Sequence, residues 1–358
     1  MSDTFAQNPK LVELTNANNM TVTIMDWGAT IHSIKVPVNG QLQEMLIGPK
    51  NPEDYSRQLC YMGATIGRYA NRIDKGQFTA NGGKSYTVGG GKDVVLHGGE
   101  VGFDKQRFTI AAQSKNSVTF TLHSPDGDEG FPGNFDLTVV YTLGDDGALK
   151  IEYEGKCDQE CAACITNHSY FNLNGRHSSV LGHEGCFNSE QILVIDSRAI
   201  PTGVLHDVTA RTDKVDNFNF TSWKKFAHSV DDFKDDKNME FTHGYDHCFV
   251  VKGFGDTTKP VVSVKGEPID GKQVQLDVYT DYPAFQFYSG NAINDGAPEG
   301  MVAVARDDGK VYGAYDGFAI EPEYFPDAPH LAQFKDINPM VSPSAPLKRF
   351  ITYKFTVI

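Results

Sequence analysis

Imidazole and carboxylate side chains move protons near neutral pH, while Asn, Gln and Arg present forked donors and acceptors that match vicinal hydroxyls. In this 358-residue sequence those residue types gather in six polar segments that a protein built of strands does not require. They are Gly67-Arg68-Tyr69-Ala70-Asn71-Arg72-Ile73, Leu96-His97-Gly98-Gly99 with Gly102-Phe103-Asp104-Lys105, Thr166-Asn167-His168-Ser169-Tyr170-Phe171-Asn172-Leu173, Gly244-Tyr245-Asp246-His247, Gln286-Phe287-Tyr288-Ser289-Gly290-Asn291, and Glu321-Pro322-Glu323-Tyr324-Phe325-Pro326-Asp327-Ala328-Pro329. Singly each is weak. A His beside apolar neighbours is more often a hydrogen-bonded core residue than a catalyst, and Asn-Arg pairs commonly stitch loops.

Three other spacings suggest chemistry and are better read as structure. Cys157, Cys161 and Cys164 have the spacing of an iron–sulfur site, but they fall at the end of a strand pattern rather than on a loop in an α/β setting. Gly83-Lys84-Ser85 ends like a phosphate-binding loop, yet Phe78 stands where the opening Gly is needed and no apolar helix follows, so a strand turn is expected. His243 and His247 suit zinc only on a helix; Gly244 and the run Cys248-Phe249-Val250-Val251 favour a turn entering a strand.

The elements that must position the polar segments are strands. Phe135, Leu137, Val139, Tyr141 and Leu143 alternate with Asp136, Thr138, Val140 and Thr142, the period of a half-buried strand. After Gly144-Asp145-Asp146-Gly147 the alternation resumes with Leu149, Ile151 and Tyr153, which predicts an antiparallel hairpin. Similar runs are Val22 with Ile24, Val118-Phe120-Leu122, Val274-Leu276-Val278 and Ile351-Tyr353-Phe355-Val357. With 35 Gly and 17 Pro between them and few segments of helical period, an all-β sandwich of many antiparallel strands is predicted. No linker, low-complexity tract or repeat divides the chain, so residues 1–358 are expected to form a single domain. The strand-poor stretch from Asp207 to Lys237 reads as an insertion, with a short surface helix expected at Trp223-Lys224-Lys225-Phe226.

The formal charge of −14, without a basic cluster, argues against nucleic acid and anionic membranes as partners. The N-terminal residues lack the positive-then-apolar order of a signal peptide and no stretch approaches a membrane span, so a cytoplasmic location is expected. The six cysteines are expected to be reduced core residues rather than a disulfide framework.

Taken together and in this order, the six segments resemble the galactose mutarotase family, also called aldose 1-epimerases, from Asp26-Trp27-Gly28-Ala29 to the final strand. The resemblance implies a single large antiparallel β-sandwich, the galactose mutarotase-like supersandwich, with an open sugar-binding cleft. It implies that His168 is the general acid and Glu321 the general base, and that Asn71, Arg72, His97, Asp246 and Gln286 hold the sugar hydroxyls. It also implies a small-molecule aldohexose as substrate, no cofactor, no metal, and a monomer or weak homodimer. Two positions depart from the family pattern: His330 stands where Asn commonly follows, and Glu323 replaces a frequent Gln. Glu323 is a second candidate base, because side chains two residues apart on a strand share a face.

The chemistry implied is ring opening of a hemiacetal, in which the anomeric hydroxyl loses a proton while the ring oxygen gains one. His168 is then expected to be held protonated by a nearby carboxylate. Phe287, Tyr288 and Phe171 are candidates for aromatic surface against the sugar ring, with a place in the core as the alternative reading. Competing functions are a non-catalytic carbohydrate-binding protein, a hexose 6-phosphate epimerase, which needs further Arg or Lys for the phosphate, and a glycosidase using Glu321 with Asp246.

Overall fold

The computed structural model describes residues 8–210, 216–227, 236–297, 303, 305 and 308–358. Alternation in the sequence becomes alternation in space. Strands Phe135–Leu143 and Ala148–Cys157 pair antiparallel from Phe135 opposite Cys157 to Leu143 opposite Leu149. The turn between them is closed by the Gly144 N–H donating to the Ala148 carbonyl, with Gly147 at φ +80°. Leu137, Val139, Tyr141, Ile151 and Tyr153 are buried, whereas Asp136 and Glu152 are exposed.

This hairpin belongs to a nine-stranded sheet. Its order runs Thr109–Gln113, Ser117–Ser124, Phe135–Leu143, Ala148–Cys157, Leu347–Val357, Val274–Thr280, Val262–Lys265, Glu184–Phe187 and Lys224–Lys225. The C-terminal strand thus lies inside the sheet, paired on both sides. A seven-stranded sheet has the order Pro201–Asp207, Gln191–Ile195, Asp246–Val250, Ala284–Tyr288, Phe318–Glu323, Tyr170–Phe171 and Leu46–Ile47. A four-stranded sheet is formed by Leu11–Thr15, Thr21–Met25, Thr30–Val38 and Gln41–Glu44. The sheets stay open rather than closing into a barrel.

The two large sheets bury their apolar faces against each other. Phe171 of the seven-stranded sheet meets Tyr353 and Phe355 of the other, and Phe187 packs on Phe249, Phe285 and Phe287. Burying such a side chain contributes about 1.5–3 kcal/mol, and aromatic pairing adds about 0.5–1.5 kcal/mol. The seven-stranded sheet is therefore pinned on one face, and its other face is free to carry polar groups.

The rejected chemical spacings take the structural places expected of them. Gln77–Ala80 and Lys84–Thr87 form a hairpin whose turn holds Gly83. Cys157 ends one strand, Cys161 opens another, and both are buried with Cys164; all six cysteines are free. His243 sits in a turn before the strand Asp246–Val250.

The helix expected at Trp223–Phe226 is instead a short edge strand, Lys224–Lys225, paired with Glu184 and Gly185. Phe226 is fully buried against Phe287 and Phe318, so core packing overrides the local preference. The α-helix among the described residues is Lys237–Thr242. Residues 211–215 and 228–235 of the expected insertion lie outside the described residues. No helix among the described residues is long and apolar enough to cross a membrane.

Candidate active site

Strand register decides which side chains reach the polar face of the seven-stranded sheet. Asp246 lies opposite Tyr288, Gln286 opposite Glu321, Ala284 opposite Glu323, and Tyr170 opposite Ala319. Because alternate residues of a strand share a face, Asp246, Gln286, Tyr288, Glu321, Glu323 and Tyr170 point one way, and Phe287, Phe318 and Phe171 point into the core. The Gln-Phe-Tyr and Glu-Pro-Glu segments are thus adjacent antiparallel strands whose polar side chains share one face.

Loops bring the remaining groups over this floor. The main chain of His168 is held from both sides: its N–H donates to the Ala64 carbonyl at 2.9 Å and its carbonyl accepts from the Gly63 N–H at 2.8 Å. Asn167 fixes the same segment, donating to the Gly63 carbonyl and accepting from the Ser169 N–H and hydroxyl. His97 and Asn71 clasp each other, the His97 N–H on the Asn71 carbonyl and the Asn71 N–H on His97 Nδ1 at 3.1 Å. Both take left-handed backbone, φ +52° and +63°, conformations that cost energy outside glycine and cluster at functional sites. Gly98 follows because a Cβ there would lie 2.1 Å from the Gly67 carbonyl oxygen.

Glu323, Asn71, Arg72, Asp246 and Gln286 form one hydrogen-bonded chain. Asn71 Nδ2 donates to Glu323 Oε1 at 2.9 Å, while Asn71 Oδ1 accepts from the Arg72 main chain and guanidinium. Arg72 Nη2 then donates to Asp246 Oδ2 at 3.2 Å, and Gln286 Nε2 donates to Asp246 Oδ1 at 2.6 Å. His168 Nε2 lies 3.5 Å from Glu321 Oε1. Asn71, Arg72, Asp246, Gln286, His168 and Glu321 line a cavity of about 310 Å³, with Glu323 behind its lining and Leu59 and Phe241 exposed at it. His168 Nδ1, Glu321 Oε2 and Gln286 Oε1 are buried with no hydrogen-bond partner among the described residues.

Burial governs the protonation of the two central groups. Desolvation pushes His168 down to about 4, against smaller upward effects of a backbone hydrogen bond and of Asp246. Desolvation raises Glu321 well above the usual carboxylate range, helped by Asp246 and opposed by Arg72. Glu323 is raised by burial and then by Glu321. Burial also raises Asp246, but Arg72 and Gln286 outweigh it and leave this carboxyl below its ordinary value. His97 is lowered by burial, then by His168 and Arg72. The expectation that a carboxylate holds His168 protonated is therefore not met in the free site. Loss of water outweighs the Asp246 charge, and the His168–Glu321 pair favours the form in which both are neutral, sharing one proton.

The structure brings together all seven residues singled out for chemistry: His168, Glu321, Asn71, Arg72, His97, Asp246 and Gln286. Of the aromatic candidates, Tyr288 lines the cavity, but Phe287 and Phe171 are fully buried in the core. The register places them on the wrong face. Sequence reasoning missed Tyr170 and Tyr61, which stack on the His168 ring at centroid distances of 4.9 and 6.0 Å. Tyr170 stands two residues after His168, and that spacing was the available signal. Leu59, Cys60, Ala199 and Phe241 also line the cavity and belong to no motif.

A family model described as aldose 1-epimerase matches residues 10–339. The aldose 1-epimerase of Escherichia coli (strain K12) is 36% identical over 348 residues, covering 97% of this chain and 95% of its own length. The galactose mutarotase of Homo sapiens is 34% identical over 341 residues, covering 94% and 92%. Among solved structures, an aldose epimerase homologue from C. elegans superimposes with a TM-score of 0.82 at 26% identity, covering 98% of this chain and 99% of that one. The galactose 1-epimerase of Lactobacillus acidophilus NCFM gives 0.79 at 25% identity, covering 100% and 96%. A match along nearly the whole sequence, on a fold of the same shape, means that this chain belongs to the aldose 1-epimerase family of isomerases.

Proposed function

We propose that this protein interconverts the α and β anomers of free aldohexoses such as galactose and glucose, with Glu321 as base and His168 as acid. The observation that carries the reading is the 3.5 Å approach of His168 Nε2 to Glu321 Oε1 in a buried, polar-lined cavity. Two groups this close can serve the two oxygens bonded to one hemiacetal carbon. Glu321 takes the proton of the anomeric hydroxyl as the bond from C1 to the ring oxygen breaks, and His168 gives its proton to that oxygen. Rotation about C1–C2 and reclosure return each proton, so the pair ends a turnover as it began. The productive form, carboxylate with imidazolium, differs from the neutral pair by one proton moved between neighbours.

Arg72, Asn71, His97, Asp246 and Gln286 hold the hydroxyls in this reading. Both carboxylate oxygens of Asp246 are already engaged, by Arg72 and Gln286, which favours a holding role over that of a glycosidase carboxylate. Arg72 is the one Arg or Lys among the described residues that line the cavity, which favours a free sugar over a hexose phosphate. We take the chain to work as a single domain in the cytoplasm, as a monomer or weak homodimer, without a cofactor and without nucleic acid or membrane partners.

The test is the decay of optical rotation of freshly dissolved α-galactose, with and without protein. Faster decay in proportion to protein concentration is expected. Galactose binding without any acceleration would make the molecule a carbohydrate-binding protein and overturn the catalytic reading.

A further inference from the structure

We propose that Cys157 and Cys161 are a dithiol that a peroxide oxidises to a disulfide, set against the buried guanidinium of Arg68. The site lies apart from the sugar cavity and does not depend on the anomer-converting reading. Arg68 is 2% exposed. Its Nη1 donates to the Pro132 and Gly133 carbonyls at 3.0 and 2.9 Å and to Cys161 Sγ at 3.8 Å, and its Nη2 donates to the Ser124 and Pro125 carbonyls and the Ser124 hydroxyl. Among the described residues no carboxylate pairs with it directly. Asp128 is relayed through the Ser124 hydroxyl, and Arg68 Nε is buried with no hydrogen-bond partner there. A charge taken out of water in this way is costly unless an anion answers it.

The Cys157 sulfur can be that anion. It lies 3.7 Å from the Pro132 carbonyl oxygen, which Arg68 Nη1 also holds, so both sulfurs gather around one guanidinium nitrogen. The Cys161 thiol donates to the Cys157 sulfur; this contact, with a further pull from Arg68, lowers Cys157 to about 7 against the opposing effect of burial. Burial and then the same contact push Cys161 upward. One sulfur is the acidic thiol and its neighbour keeps a proton, the arrangement of an attacking cysteine beside a resolving one. Cys157 ends its strand at 3% exposure, and Asp158 after it is exposed. That opening suits an oxidant little larger than water. No strand pairing fixes Asp158, Gln159 and Glu160 between the two sulfurs.

The oxidation proceeds in two steps. The Cys157 thiolate attacks one peroxide oxygen, so an S–O bond forms, the O–O bond breaks and hydroxide leaves with the proton that Cys157 had released. The Cys161 sulfur then attacks the Cys157 sulfenic acid, so the S–S bond forms, the S–O bond breaks and the departing hydroxide takes the Cys161 proton. Two thiols are oxidised and one hydrogen peroxide is reduced to two waters. A thiol reductant reverses the change.

The experiment treats the full chain with hydrogen peroxide, removes the excess with catalase, denatures the protein in iodoacetamide and maps the unreduced tryptic peptides by mass spectrometry. The peptide beginning at Cys157, after Lys156, also holds Cys161 and Cys164. It is expected to be lighter by two hydrogens with Cys164 alone alkylated, and dithiothreitol before alkylation should restore three alkylated sulfurs. Burial raises Cys60 and Cys186, so these more exposed cysteines should oxidise at least about tenfold more slowly. Cys161→Ser, checked for folding by a thermal melt, should leave Cys157 as a sulfenic acid that dimedone traps. Three alkylated sulfurs after peroxide, a disulfide that includes Cys164, or faster oxidation at Cys60 or Cys186 each overturns the proposal, and these outcomes are read on the parent chain. Absence of mutarotation sinks the functional reading alone, since the peptide map is read without turnover.

Discussion

Replacing Glu323 by Gln separates two buried carboxyl groups that stand two residues apart on one strand face. Glu323 is fully buried, and its Oε1 accepts a 2.9 Å hydrogen bond from Asn71 Nδ2. Burial and then the neighbouring Glu321 push this carboxyl upward, which favours its neutral form, and Gln is close to the isostere of that form. A hydrogen bond of this kind is worth about 0.5–1.5 kcal/mol net, and Glu323→Gln keeps its acceptor oxygen. Activity is therefore expected to stay within roughly tenfold. Glu323→Ala differs, because it strands a buried amide at a cost of about 1–3 kcal/mol. It also releases Asn71, whose φ of +63° needs restraint, and with it the Arg72 guanidinium. Its KM for galactose is expected to rise roughly tenfold or more, with a smaller change in kcat. Polarimetry over a range of galactose concentrations gives both constants, and a thermal melt confirms folding. If Glu323→Gln loses activity by about 10²-fold or more while Glu321→Gln does not, the base is Glu323 and the positioning argument is wrong.

Other consequences follow from the same geometry. His183 is buried at the core, its Nε2 accepting from the Leu173 N–H, and desolvation lowers it to about 3. The unfolded chain binds that proton near pH 6.5 and the folded one does not, so stability is lost as pH falls between these values. The loss is about 1.4 kcal/mol per pH unit for this group, and urea melts of His183→Gln should show a shallower acid slope than the parent. Tyr170 stacks on His168, so Tyr170→Phe should retain most activity, whereas Tyr170→Leu should lose roughly tenfold in kcat as about 0.5–1.5 kcal/mol of ring contact disappears. Gly98→Ala should disorder the His97 loop, because a Cβ meets the Gly67 carbonyl at 2.1 Å; a raised KM and a lowered melting temperature are expected.

The strands were legible because one face of each is pinned by the core, and pinning enforces the alternation seen at 135–157 and 351–357. The residues proposed as acid, base and hydroxyl holders stood out only as an ordered set, since nothing local shows that His168 and Glu321 meet. What escaped was decided by register or distant packing. Phe287 and Phe171 looked like sugar platforms, yet each is one residue out of phase with the polar face, and Tyr288 and Tyr170 occupy it instead. The segment at Lys224–Lys225 carries no strand alternation of its own, and pairing with Glu184 and Gly185 defines it. The protonation of His168 was misjudged because desolvation, invisible in sequence, exceeds the pull of Asp246.

The most direct trial is kcat/KM for galactose anomerisation in Glu321→Gln, His168→Asn and their double variant, all shown to be folded. Each single change should lower it about 10²- to 10⁴-fold, and the double should fall little further, as for residues that act as a unit. Activity within tenfold of the parent in either single variant would contradict the account.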